Sequence, residues 1–138
     1  MNKEIRDLIE QFDTDNGFTH SEVTDKMLMQ ATEELQVVLP DQFCDFIKIY
    51  GYGGIGGMVI LGVGLDGSLV FVDETVDYRK YGLPENYVVI EDCDEWVYCI
   101  DCQTEKIVSW SLDGFVQEEY DCFDSFLLER LREVTEDR

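Results

Sequence analysis

The chain has 138 residues, enough for one hydrophobic core and the length of one domain. Its 31 Asp and Glu against 10 Lys and Arg leave a net charge of −21 at pH 7. Phosphate recognition needs cations that displace counterions, so nucleic-acid binding is excluded, and an anionic membrane surface repels such a chain for the same reason.

With 45% hydrophobic and 12% aromatic residues the composition is globular. A basic partner, a cation or simple solubility remain as uses for the charge. The start Met1-Asn2-Lys3-Glu4-Ile5 has no apolar run of the signal-peptide kind. No stretch reaches the ~20 apolar residues of a spanning helix. Five cysteines, an odd number beside no export signal, fit reduced thiols in a cytoplasm. The expectation is one cytoplasmic domain over residues 1–138.

Ile5, Leu8, Ile9 and Phe12 recur at helical spacing, and the helix they predict ends in the loop Asp13–Gly17. Thr24 is a candidate N-cap for a second helix that turns Leu28, Ala31 and Leu35 inward. Pro40 suits the first position of a third, with Phe43, Phe46, Ile47 and Tyr50 on one face and Gly51 as its stop. The period then changes. Gly51–Gly57 is glycine-rich, and Met58–Leu61 reads as a strand. Leu69–Val72 reads as a strand or the start of a helix, and Glu74–Tyr81 as a short helix closed by Gly82 and Pro84. Tyr87–Ile90 is a buried-looking strand. Trp96–Cys102 and Ile107–Leu112 form a hairpin across four polar residues, and Phe115, Val116 and Tyr120 add an edge strand. A last amphipathic helix carries Phe123, Phe126, Leu127, Leu131 and Val134, with Asp121 as candidate cap. Helices, then strands, then a closing helix predict an α+β fold with an antiparallel or mixed sheet.

Gly51-Tyr52-Gly53-Gly54-Ile55-Gly56 matches G-x-G-x-x-G in letters only. The dinucleotide fingerprint needs a strand before it and a helix after it, whereas here a helix precedes and a strand is predicted to follow. A tight glycine turn is the better reading. Cys99-Ile100-Asp101-Cys102 spells C-x-x-C, but in an extended strand the two sulfurs point to opposite faces about 10 Å apart. Redox or zinc chemistry is therefore not expected, and packing on the two sides of a sheet is. His20 is the only histidine and stands in a predicted exposed loop, with no nucleophile signature elsewhere. Glu91, Asp92, Asp94 and Glu95 lack the alternation and central glycine of a calcium loop. No catalytic residue, cofactor or resident metal is expected.

Charge distribution is more informative. Residues 81–125 contain twelve acids and one base, Lys106, together with eight aromatic residues. In the predicted hairpin Trp96, Tyr98, Ile100 and Cys102 share one face and Val97, Cys99 and Asp101 the other, and Val108, Trp110 and Leu112 also share a face. Either one face displays aromatics among acids, as interfaces do, or all the aromatics are core and the acids only solvate the surface. The candidate partner-binding residues on the first reading are Asp92, Asp94, Glu95, Trp96, Tyr98 and Trp110.

Glu33-Glu34-Leu35 through Leu39-Pro40-Asp41-Gln42-Phe43, then Phe46-Ile47 and Tyr50-Gly51, resembles the opening signature of the SUKH superfamily. The glycine turn into Met58–Gly62 fits the same pattern. So do Tyr78-Arg79 through Gly82-Leu83-Pro84, Val89–Asp92, Tyr98–Asp101 and the terminal helix. The likeness spans about Thr24 to Val134 and is nearest in look to short Bacillus-type members. Two positions depart from it: Gln36 stands where many members have glycine, and Asp94-Glu95 replace a turn that more often contains glycine. The resemblance implies a non-enzymatic antitoxin that binds and neutralises a cognate toxin, often a nuclease with a basic surface. The eukaryotic members imply the alternative of a regulatory scaffold that binds host proteins. Toxin contacts vary within the family, so none is carried over, and oligomeric state is left open.

Overall fold

The structure, a computed structural model, describes residues 1–13 and 17–136; of the predicted Asp13–Gly17 loop, Thr14, Asp15 and Asn16 lie outside the described residues. Its elements follow in the order α1 (Lys3–Phe12), α2 (Asp25–Leu35), α3 (Asp41–Tyr50), α4 (Val70–Arg79), β1 (Tyr87–Asp92), β2 (Val97–Asp101), β3 (Ile107–Trp110), β4 (Val116–Tyr120) and α5 (Phe123–Thr135). The fold is α+β, with the sheet antiparallel throughout and ordered β1-β2-β3-β4.

The N-terminal helices form where their apolar spacing places them. Asn2 caps α1 by accepting from the Glu4 N–H at 2.8 Å, and Ile5 and Ile9 are buried one turn apart. Thr24 caps α2 by accepting from the Met27 N–H at 3.2 Å, with Ala31 and Leu35 buried. Pro40 is the N-cap of α3 rather than its first residue, extended at ψ 144°. Its carbonyl accepts the Cys44 N–H at 3.2 Å, and its own missing N–H is one the helix never uses. Phe43, Phe46, Ile47 and Tyr50 are all buried, and the Gly51 N–H closes the helix on the Ile47 carbonyl at 2.8 Å.

The strand expected at Met58–Leu61 does not form. Gly53 instead makes isolated antiparallel bridges to Phe18 and Ile60, and Val63 makes one to Leu69. A ladder needs one continuous partner, and this segment divides its backbone groups among several. Leu61 donates to the Ile90 carbonyl at 2.8 Å and Val63 to the Gly51 carbonyl at 3.0 Å. The Gly62 carbonyl accepts the Val70 N–H at 2.9 Å and the Phe71 N–H at 3.3 Å, two of the orphan donors that open α4. Leu69–Val72 therefore leads into a helix, and α4 begins four residues earlier than the predicted Glu74 start.

Two helices cover the two faces of the sheet. On one face Tyr78 of α4 packs edge-on to Trp110 at 6.0 Å, and at the adjoining β1 edge the Thr75 hydroxyl accepts the Val89 N–H at 2.9 Å while donating to the Phe71 carbonyl at 2.7 Å. On the other, α5 buries Phe123 with its ring centre 5.4 Å from Phe43 and 5.6 Å from Phe46. The β1–β2 register shifts between Val89 and Glu91, a bulge that puts Glu91 opposite Tyr98. Arg130 of α5 meets Glu91 there through a two-pronged ion pair, Nε–Oε1 2.9 Å and Nη2–Oε2 2.7 Å. Its guanidinium carbon also lies 5.8 Å from the centre of the Tyr98 ring. The predicted Asp121 cap is not used. Cys122 is the N-cap and its thiol caps no backbone N–H, meeting the Ser125 hydroxyl at 3.3 Å, and the Asp124 N–H donates to Gln42 Oε1 of α3 at 3.0 Å instead.

Two stability predictions follow from these contacts. A methyl group on Gly62 would collide with the Gly51 carbonyl oxygen, whereas Gly57, at φ +91°, faces open space. Gly62→Ala is expected to lower urea stability by about 3 kcal/mol and Gly57→Ala by only about 1 kcal/mol, the backbone cost alone. Equal losses would show that the close approach at Gly62 is unimportant. Removing one partner of the buried ion pair, by Glu91→Gln or Arg130→Met, should cost about 3 kcal/mol. The joint Glu91→Met, Arg130→Met replacement should recover most of that loss in a double-mutant cycle.

Candidate interaction surface

The turns joining β1 to β2 and β3 to β4 lie at the same end of the sheet, because the meander reverses direction at each strand. In the first turn Asp92 Oδ1 accepts the Asp94 N–H at 2.9 Å, and the Cys93 N–H donates to the Trp96 carbonyl at 2.9 Å. Asp94 takes a left-handed conformation at φ 67°, which short polar side chains tolerate better than most. The outcome is that Asp94 and Glu95 stand exposed beside a Trp96 that is 39% exposed. In the second turn Asp113 Oδ1 accepts from the Ser111 hydroxyl at 2.7 Å and the Phe115 N–H at 3.0 Å. These donors, the Ser111 hydroxyl first, hold the Asp113 carboxyl below its ordinary range. The turn leaves Leu112 63% and Phe115 60% exposed.

The six candidate residues gather at this end, but not on one displayed face. Asp92, Asp94, Glu95 and Trp96 sit on the first turn and are exposed. Tyr98 is half-buried beneath α5, its ring 5.0 Å from Phe126 and edge-on to Trp96 at 6.2 Å. Trp110 faces the other way and is 3% exposed, edge-on to Tyr78 of α4 at 6.0 Å. Tyr78 donates to Asp92 Oδ2 at 2.8 Å, and its phenol is raised by burial first and by Asp92 second. Trp110 and Tyr78 thus back a shallow cleft that Asp94, Trp96 and Leu112 rim. Of the two readings the sequence left open, an open aromatic face does not describe the hairpin, since α4 and α5 lie over its two sides and Trp110 is core, while Trp96 remains exposed at the turn. Leu112, Phe115 and Val116 were not among the candidates. Their signal is the Asp113-Gly114 turn pair, which places its neighbours at a hairpin tip.

The remaining motifs hold structural positions. The glycines of Gly51–Gly56 follow α3 and precede no helix before Val70, so the phosphate-cradling geometry is missing. Cys99 is buried in β2 and Cys102 lies just past its end, both as free thiols. Burial pushes the Cys102 thiol up to about 12 and those of Cys44 and Cys93 up to about 11, which leaves them poor nucleophiles near neutral pH. His20 is exposed, with Nδ1 3.1 Å from the Ile49 carbonyl. Of the acids 91, 92, 94 and 95, Glu91 is committed to Arg130 on the α5 face and is unavailable to the turn. At the opposite end of the sheet an open groove of about 730 Å³ is lined by residues such as Thr32, Gln36, Val38, Glu85 and Cys102. Arg79 ties its walls together by donating to the Leu35 carbonyl at 2.9 Å and the Glu85 carbonyl at 2.7 Å.

No helix among the described residues is long and apolar enough to cross a membrane. A solved structure of a protein from Pseudomonas syringae pv. tomato superposes with a TM-score of 0.60 at 20% identity, covering 83% of this chain and 87% of that one. At that identity the likeness speaks to the fold. The family model SUKH_5, described as SMI1-KNR4 cell-wall, matches residues 5–132. That match takes in every helix and strand from α2 to β4 and most of α1 and α5, so the chain belongs to the SUKH family.

Proposed function

We propose that this chain is an immunity protein, a single domain over residues 1–138 that binds a cognate toxin in the cytoplasm and blocks its active surface. The SUKH family includes immunity proteins. The observation that carries the reading is the end of the sheet, where the exposed Asp92, Asp94 and Glu95 flank Trp96 in one turn and the other turn exposes Leu112 and Phe115. A toxin acting on RNA or DNA needs cations for its phosphates, and a protein of net charge −21 complements such a surface. In this reading the carboxylates speed encounter, while Trp96 and its apolar neighbours slow dissociation. Tyr98 and Trp110 act from beneath, by fixing the orientation of Trp96 and the floor of the cleft. The role is non-catalytic and needs neither cofactor nor metal.

Co-expression with the toxin domain encoded beside this gene, followed by size-exclusion chromatography and nuclease assay on RNA and DNA, tests the proposal. A stable complex with suppressed activity is expected. Asp94→Lys with Glu95→Lys should lower the association rate by about tenfold at low salt and much less at high salt. Trp96→Ala should mainly raise the dissociation rate, at a cost of about 2 kcal/mol. An active toxin that does not associate would remove the reading, and reproducible binding to several host proteins would favour the regulatory scaffold.

A further inference from the structure

The two edges of the sheet are treated differently. On β1 the outer backbone groups are taken: the Val89 N–H by the Thr75 hydroxyl at 2.9 Å, and the Ile90 carbonyl by the Leu61 N–H at 2.8 Å. β4 pairs with β3 alone. The Ser111 N–H donates to the Phe115 carbonyl at 3.1 Å, so residues 111 and 115 form a hydrogen-bonded pair. In an antiparallel ladder such pairs alternate. Ser109 and Gln117 are then the next bonded pair, while Val116 and Glu118, opposite Trp110 and Val108, turn their N–H and C=O groups outward. Val116–Glu119 are all exposed, and no donor or acceptor among the described residues reaches the outward backbone groups of Val116 and Glu118; the Glu118 carboxylate takes Lys106 Nζ at 3.2 Å and that of Glu119 the Ser109 hydroxyl at 2.9 Å, each with acceptor capacity left over.

We propose that the outer edge of β4 is a docking edge that takes an extended, basic segment of a partner protein as a fifth strand. This deepens the toxin-binding reading and rests on its premise of a basic protein partner. Charge selects the occupant. Val116 and Glu118 project to one face of the sheet and Gln117 and Glu119 to the other, so an added strand meets a carboxylate on each face. Lysine or arginine opposite Glu118 and Glu119 makes favourable cross-strand pairs, and an apolar residue fits beside Val116 and Phe115. A second copy of this chain is the wrong occupant. Antiparallel self-pairing centred on Glu118 sets like charges against each other, in molecules that each carry −21. The ladder hydrogen bonds supply affinity without a sequence requirement, and the acids supply the selection for a basic segment.

The probe is an acetylated, amidated peptide of alternating lysine and valine, about nine residues long, the length of one generous strand. Amide hydrogen exchange is followed by NMR on the full chain. With peptide at about ten times its dissociation constant, exchange at Val116 and Glu118 should slow by about tenfold. A glutamate-for-lysine peptide should leave it unchanged. Glu118→Pro removes an outward N–H without touching the β3–β4 ladder and should abolish the effect. If that variant does not fold, Glu118→Lys with Glu119→Lys decides, since it must weaken the lysine peptide by at least about tenfold. No slowing at Val116 and Glu118, or equal slowing by the acidic peptide, overturns the proposal. Toxin binding that leaves these amides unprotected also overturns it while sparing the immunity reading. Peptide docking here with no toxin complex does the reverse.

Discussion

The passage of backbone close against backbone along residues 51–64 is the constraint on which the other elements depend. Gly53 lies against the Gly17 carbonyl, Gly54 against that of Met58, and Gly62 against that of Gly51, each too near to admit a β-carbon. That closeness lets one short segment end α3, start α4 and bond to β1 at once. A side chain at any of these points would push the apposed backbones apart and lengthen the hydrogen bonds between them. The glycine run therefore reads as a structural joint, and the same closeness explains why it supports bridges in place of a strand.

A second consequence concerns what is left for function. The joint sets α4 over one face of the sheet, and the Glu91–Arg130 pair helps to hold α5 over the other. Burying an ion pair is costly unless both groups are well bonded. Here the bulge at Ile90 supplies the geometry, turning Glu91 toward Arg130 when a regular ladder would have turned it away. With both faces covered, the sheet itself offers a partner its turns and one strand edge. Of the exposed large apolar side chains, Trp96, Leu112, Phe115 and Val116 lie on those parts of the sheet.

Much of this was legible in the residues. Helical spacing placed α1, α2, α3 and α5, and the four polar residues at 103–106 placed the β2–β3 turn, because both signals are local. The strand at Met58–Leu61 and the cap at Asp121 failed because distant groups decided them, β1 and α4 in one case and Gln42 in the other. Trp110 shows the same limit. Alternation assigns it to a face, but whether that face is open depends on α4, some thirty residues away in sequence, folding over it. The departures from the family pattern, Gln36 and Asp94, both adopt left-handed backbone, at φ 59° and 67°. The missing glycines therefore mark conformations that the chain keeps by other means: Gln36 Nε2 donates to the Glu33 carbonyl at 2.5 Å, and the Asp94 N–H to Asp92.

The distribution of cations sharpens the meaning of the negative charge. Lys48, Lys80, Lys106, Arg130 and Arg132 are paired with acids of the same chain, and Arg79 bonds backbone carbonyls. Most pairs are exposed and contribute little stability individually, but they leave few free cations to relieve the surface field. Such a field repels copies of the chain from one another at long range, before any contact is tested. Exposed apolar side chains at the turns would otherwise invite self-association. Acids beside them make those positions adhesive only to a surface of opposite charge, so on the proposed reading selectivity arises from repulsion of wrong partners as much as attraction of the right one.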